Sequence, residues 1–252
     1  MIFNYHTHTT RCNHAIGTDR EYVENAIQKG LKTLGFSDHA PYFFPNTDYY
    51  SPFRMQVDEL FAYADSIRAL QKEYEKDIRI LLGFELEYYP DFHKGETEFL
   101  RQVSPDYLIL GQHLLNNELD HVVSINLNTD ELLAAYVSQV LEGLQTGDFL
   151  YLAHPDLPGC NFSKEAVERE YRRLCEGAKA MNIPLEINLL GVRTHRHYPS
   201  ERFFKIAAAV GNSVIIGSDA HEPQDVVDLP SEAFAKDMVA SLGLKLIETT
   251  LL

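Results

Sequence analysis

Short apolar runs alternate with amphipathic stretches along the whole chain, and this alternation constrains the fold more than any other feature. An apolar run of four to eight residues followed by a stretch with helical periodicity is a βα unit. Such units in succession build a parallel sheet, because parallel neighbours must be joined by a crossover, usually a helix.

The first unit is the clearest. Ile2–Tyr5 reads as a strand, and Thr18 with Glu21 forms a T-x-x-E capping box that opens a helix. Tyr22, Val23, Ala26 and Ile27 give that helix one apolar face, and Gly30 ends it. Further strands are expected at Thr33–Ser37, Ile78–Glu87, Tyr107–Gly111, Phe149–Ala153, Leu185–Asn188 and Ser213–Ser218, with a last short one at Lys245–Glu248. Between them the spacing predicts helices over Gln56–Glu75, Lys94–Gln102, Asp130–Thr146, a stretch capped by Ser163 and running to Met181, Ser200–Val210 and Ser231–Leu242. A long loop, Ala40–Met55, rich in proline and aromatics, separates the second strand from the second helix. Seven or eight strands in this alternation over 252 residues suit one closed β/α barrel; an open doubly wound sheet is the structural alternative.

The unusual residues fall in register with that map. His6 and His8 follow the first strand and His39 the second; Glu85 lies near the end of the third. His113, His154, and the pair Asp219 and His221 follow the strands at Tyr107, Phe149 and Ser213. The strand at Leu185 delivers Asn188 and then Arg193 instead. Barrel active sites are assembled at the C-terminal ends of the strands, where all of these residues sit. Residues i and i+2 of an extended segment point the same way, about 6.5 Å apart, so His6 and His8 can converge on one ion. His14, in the first βα loop, is on the same side, and is either a further ligand or a surface histidine. Cys12 reads as a buried or free thiol. His93, His121, His195 and His197 carry no strand-end placement.

Imidazole with carboxylate suits Zn, Mn, Fe, Co or Ni. Nine candidates are too many for one ion and suit two or three divalent ions sharing a bridging carboxylate, for which Glu85 is the natural choice. Such a cluster can hold a hydroxide as nucleophile and neutralise an oxyanion opposite it. Phosphate monoesters are dianions that resist anionic attack, so a positive cluster is what their hydrolysis needs. Arg193 and Arg196 are candidates to clamp phosphate oxygens through the guanidinium fork.

Composition narrows the partners. The formal net charge is −15, which argues against nucleic acid and against an anionic membrane surface. No apolar stretch reaches the roughly 18 residues of a membrane span, and no leader pattern is visible at Met1–Tyr5. The cysteines Cys12, Cys160 and Cys175 form no disulfide framework, which places the chain in a reducing cytoplasm. There is no G-x-S-x-G elbow, no phosphate-binding loop of the G-x-x-x-x-G-K-[ST] type and no G-x-G-x-x-G fingerprint after a strand.

Taken together, His6-Thr-His8, His14, Ser37-Asp-His39-Ala40, Glu85, His113, Ala153-His154-Pro155 and Ser218-Asp219-Ala220-His221 resemble, in order, the motifs of the polymerase and histidinol phosphatase (PHP) superfamily. The resemblance implies a distorted (β/α)7 barrel filling one domain, residues 1–252, with a trinuclear metal centre of zinc, iron or manganese. It implies that His6, His8, Glu85 and Asp219 hold one ion, that Glu85, His113 and His154 hold a second, and that His14, His39 and His221 hold a third. Glu186-Ile-Asn188-Leu-Leu-Gly191-Val-Arg193 with Tyr198-Pro199 resembles the histidinol-phosphate phosphatase group. That implies hydrolysis of L-histidinol phosphate, a step of histidine biosynthesis, by metal-bound hydroxide, with Arg193 at the substrate phosphate; Asn188 and Arg196 are further candidates for substrate contact. Glu85 and Asp219 would act as catalytic carboxylates, and a bound water or one of them would protonate the leaving alkoxide. Gly111-Gln112-His113 departs from the group, lacking the Ser-Val pair that precedes this histidine in many members, which leaves other small phosphomonoesters open: a sugar phosphate, a nucleotide or phosphotyrosine. An amidohydrolase-type barrel also uses H-x-H, but bridges its metals with a carboxylated lysine, and no lysine stands at a strand end here. A catalytically silent metal-binding barrel is the remaining alternative.

Overall fold

A computed structural model describes every residue except Asn46 and Cys160, so that part of the aromatic loop and one of the three cysteines lie outside the described residues. The strands are β1 (Phe3–Asn4), β2 (Thr33–His39), β3 (Arg79–Leu86), β4 (Tyr107–Leu110), β5 (Leu185–Asn188), β6 (Ser213–Gly217) and β7 (Lys245–Leu246). They form two parallel sheets, β1-β2-β3-β4 and β5-β6-β7. The helices are α1 (Asp19–Gln28), α2 (Leu60–Glu73), α3 (His93–Leu100), α4 (Asp130–Gln145), α5 (Lys164–Ala180), α6 (Leu189–Arg193), α7 (Glu201–Val210) and α8 (Leu229–Leu242).

Local chemistry accounts for most of these boundaries. Thr18 and Glu21 make both arms of the capping box at α1. Thr129, Ser163 and Ser200 cap α4, α5 and α7 with their side-chain oxygens. The last helix begins two residues earlier than its periodicity predicts: Asp228 caps it, and Pro230 fits the first turn, where no N–H is needed.

One expected strand is a correction. Phe149–Ala153 is not an independent strand; only Leu152 makes ladder bridges, to Leu110 on one side and Leu185 on the other. The segment is still hydrogen-bonded on both flanks, through Leu150 to Leu108 and Glu186 to Leu152. It is cut short because the chain turns off at His154, whose φ is 26°. A further bridge, Thr7 to Ala220, joins the residues beyond β1 to those beyond β6.

Side chains alternate across the strands. One set packs outward against the helices in the main core, with Leu34, Phe36, Leu82, Phe84, Ile187 and Val214. The other set, Phe3, Tyr5, Leu81, Tyr107, Ile109, Tyr151, Ala153 and Ile215, forms a second cluster on the face away from the helices. Glycines make this inner face possible. A Cβ on Gly83 would fall 2.5 Å from the Tyr107 ring, and one on Gly35 2.3 Å from its hydroxyl oxygen. Tyr107 is thereby seated across the strands, hydrogen-bonded to the carbonyls of Tyr5 and Phe36.

Candidate metal centre

The strand ends bring the predicted side chains to one place, with Glu85 at its middle. Oε2 of Glu85 lies 3.6 Å from Nε2 of both His6 and His8 and 3.0 Å from Nδ1 of His39. Its other oxygen is 2.8 Å from Nε2 of His154 and 3.6 Å from Nε2 of His113. Asp219 Oδ1 stands 3.1 Å from His8 Nε2, 3.6 Å from His6 Nε2 and 3.4 Å from His221 Nδ1. The His14 ring lies 4.7 Å from that of His221 and 5.4 Å from that of His39. All nine sequence-predicted ligands therefore share one site. Gly111 makes room for its centre: a Cβ there would sit 1.9 Å from Glu85 Oε1.

Seven buried polar atoms of these side chains are unpaired. His6 Nε2, His8 Nδ1, His39 Nδ1, His154 Nδ1, His221 Nε2, Glu85 Oε2 and Asp219 Oδ1 are buried and make no hydrogen bond. Each such atom costs about 1–3 kcal/mol if left so. A cluster of nitrogen lone pairs and carboxylate oxygens at these spacings fits divalent cations, which would satisfy them together. His6, His8 and Glu85 converge as one such group, and His8, His39 and His221 as another. His14 converges with Cys12 and His221, and its ring also neighbours that of His39. Cys12 and Cys175 are buried free thiols.

The electrostatics divide the imidazoles into two sets. Burial opposes a charge on His8, but Asp219 and Asp38 more than offset it and raise its pKa to about 9. His6 is likewise carried well above its ordinary value, against burial, by Glu186, Asp219 and Glu85. His39 is pushed down to about 4 by burial and by the neighbouring His8 charge, and His14 and His221 are lowered for the same reasons. Neutral imidazoles are ready ligands, whereas His6 and His8 must release protons to metal. Burial opposes ionisation of Glu85 and Asp219, yet the surrounding histidines hold both well below the usual carboxylate range.

A second ring of side chains orients the first. Glu186 accepts from His6 Nδ1 at 2.8 Å and from the His154 backbone N–H at 3.0 Å. Glu87 lies 3.0 Å from His113 Nδ1, and Asp38 lies 3.5 Å from His8 Nδ1. Reasoning from sequence missed Glu87 and Asp38 in these roles, and met Glu186 only as part of a motif. The signal was present for Glu87 and Glu186: each stands two residues from a site residue on extended backbone, so both point to the same side.

Two of the residues expected at the substrate have other partners in this structure. Asn188 is fully buried and committed to the scaffold: its amide donates to Glu186 and to Asp219 Oδ2, 2.9 Å each, and its carbonyl caps α6. That single-turn helix follows β5 directly. Arg193 turns away from the cavity, pairing with Asp225 and Asp228 and donating to the carbonyls of Ser218 and Asp219. Arg196 does face the cavity, its guanidinium 2.7 Å from the Tyr198 hydroxyl. The cavity measures about 470 Å³. It has the metal-type ligands on its floor and Phe53, Leu114, Val123, Leu157 and Leu190 on its walls. His93, His121, His195 and His197 do not line it.

The same arrangement of strands occurs in known proteins. A histidinol phosphate phosphatase from Lactococcus lactis, solved with zinc, L-histidinol and phosphate, superposes with a TM-score of 0.71 over 97% of this chain and 95% of its own, at 20% identity. At that identity the likeness is one of fold. Among curated proteins, the "probable histidinol-phosphatase" of Deinococcus radiodurans is 30% identical over 236 residues, covering 88% of this chain and 86% of its own length. That of Schizosaccharomyces pombe is 24% identical over 259 residues, covering 90% and 82%. The model of the PHP domain family matches residues 4–189, which contain seven of the nine candidate ligands, and the chain belongs to that family.

Proposed function

We propose that this chain is a metal-dependent phosphomonoesterase that hydrolyses L-histidinol phosphate to L-histidinol and phosphate. The observation that carries the reaction class is the Glu85 carboxylate, buried with five imidazoles around its two oxygens. The substrate is supported by the relatives of that name and by the cavity, whose apolar walls suit an imidazole ring. We read the two sheets, joined through Leu152 and through Thr7 and Ala220, as a distorted (β/α)7 barrel forming one domain over residues 1–252.

In this reading His6, His8, His14, His39, Glu85, His113, His154, Asp219 and His221 hold two or three divalent ions, of zinc, iron or manganese. Bound there, the ions would neutralise the phosphate dianion and lower the pKa of water. Glu85 reaches both halves of the cluster with its two oxygens, as a bridging ligand must. Both Glu85 and Asp219 are held ionised by the surrounding histidines, which suits ligation rather than donation of a proton to the leaving alkoxide. Arg196, steadied by Tyr198, is placed to take a phosphate oxygen.

Steady-state assays on the metal-loaded protein test this. Histidinol phosphate should have the highest kcat/KM in a panel containing sugar phosphates, nucleotides and phosphotyrosine. Preference for another ester by about 100-fold, worth about 2.7 kcal/mol in the transition state, overturns the substrate and leaves the reaction class.

A further inference from the structure

Arg54 is fully buried, and a guanidinium in that position costs several kcal/mol of desolvation unless its partners are well placed. Its Nε donates to Glu118 Oε2 at 2.7 Å, and its Nη1 donates to Glu87 Oε2 at 3.0 Å and to the Ala40 carbonyl at 2.9 Å. The guanidinium also lies over the rings of Phe53 and Tyr42, 4.5 and 5.3 Å from their centroids. These partners come from three separate elements at the mouth: the loop after β2, the end of β3 and the loop after β4.

The far side of each partner matters. The second oxygen of Glu87 holds His113 Nδ1 at 3.0 Å, which leaves His113 Nε2 on the side of Glu85. The second oxygen of Glu118 accepts from the Tyr49 hydroxyl at 2.9 Å. Glu87 is two residues from Glu85 on extended backbone and shares its face. Without a counter-charge it would be a buried carboxylate with one oxygen unpaired. Paired with Arg54, it is left as an oriented acceptor for one imidazole.

We propose that Arg54 is a positioning residue for the candidate metal ligand His113: through Glu87 it fixes the imidazole with Nε2 toward Glu85, and through Glu118 and the Ala40 carbonyl it locks the two mouth loops around that arrangement. The proposal rests on the metal-centre reading above. It also gives Phe53, the cavity wall next to Arg54 in the chain, the same anchor as the ligand it faces.

Zinc affinity, measured by competition with a chelator and by metal content, tests it in wild type, Arg54→Met, His113→Ala and the double variant. Loss of an orienting partner behind a ligand is expected to weaken zinc about 10–100-fold. Arg54→Met should therefore weaken one zinc equivalent by that factor, His113→Ala should weaken the same equivalent, and the double variant should match His113→Ala. Arg54→Lys, which keeps the charge but cannot serve Glu87 and Glu118 together, should fall between wild type and Arg54→Met, and carries the same cycle if Arg54→Met does not fold. Wild-type affinity in the Arg54 variants overturns the proposal alone. A further loss of zinc on changing Arg54 in the His113→Ala background also overturns it, because the effect would not pass through His113. A wild-type protein that takes up no zinc overturns the metal-centre reading with it.

Discussion

At the scale of single residues, the two arginines of the motif region separate by what holds them. Arg193 already spends its donors on Asp225, Asp228 and two carbonyls, so it buttresses the Ser218–Asp219 turn that presents a ligand. The Arg196 side chain donates to Tyr198 and faces the cavity. Arg196→Ala should therefore raise KM for a phosphomonoester about tenfold or more with metal content unchanged, a charge-assisted contact being worth roughly 1.5–3 kcal/mol. Arg193→Ala should lower metal content and thermal stability instead. Kinetics beside metal analysis distinguish the two, and the reverse pattern would return the phosphate contact to Arg193.

At the scale of elements, strands and helices meet the site through space as much as through charge. Gly111, just past β4, is the position at which any side chain would collide with Glu85. Gly111→Ala should cost at least tenfold in zinc affinity, read by chelator competition, even where circular dichroism shows the fold intact. The helix α3 carries a different constraint. Burial raises the Glu96 carboxyl from its ordinary value of 4.5 to about 8, and Oε1 has no hydrogen-bond partner. The folded state thus holds a proton that the unfolded chain releases above about pH 4.5. Its contribution to stability is complete below pH 4.5, falls by roughly 1.4 kcal/mol per pH unit as pH rises, and levels off above about 8. In denaturant titrations from pH 5 to 8, stability should fall more steeply in wild type than in Glu96→Gln, the difference in slope being the share of Glu96.

At the scale of the whole molecule, the metal centre joins strand ends from residue 6 to residue 221, so its occupancy should be felt as global stability. Zinc that binds the folded state alone adds RT ln(1 + [L]/Kd), about 2.7 kcal/mol at a hundredfold excess over Kd. Without metal, the raised pKa of His8 contributes stability that is complete below pH 6.5 and is lost as pH rises through about 9. With metal, deprotonation of His8 favours binding over the same range. The gap in Tm between loaded and chelated protein should therefore widen from pH 6.5 to 9, by calorimetry. A gap that narrows would mean that His8 does not exchange a proton for metal. Among the described residues no helix is long and apolar enough to cross a membrane.

Much of this was legible in the sequence because its signals are local. The alternation of strand and helix, the caps at Thr18 and Ser163, and the placing of His6, His8, His39, Glu85, His113, His154, Asp219 and His221 at strand ends follow from periodicity and from the way strands point their side chains. The chain by itself determined which residues would stand at the mouth. Tertiary structure alone decided which of them turn inward and what holds them there. Arg193 and Arg196 are two guanidiniums three residues apart, and one pairs with Asp225 and Asp228 while the other faces the cavity. Arg54, Glu87 and Glu118 lie far apart in the chain, and only burial together makes them one network. Direction and pairing of a long side chain depend on charges brought close by folding, and no spacing along the chain encodes them.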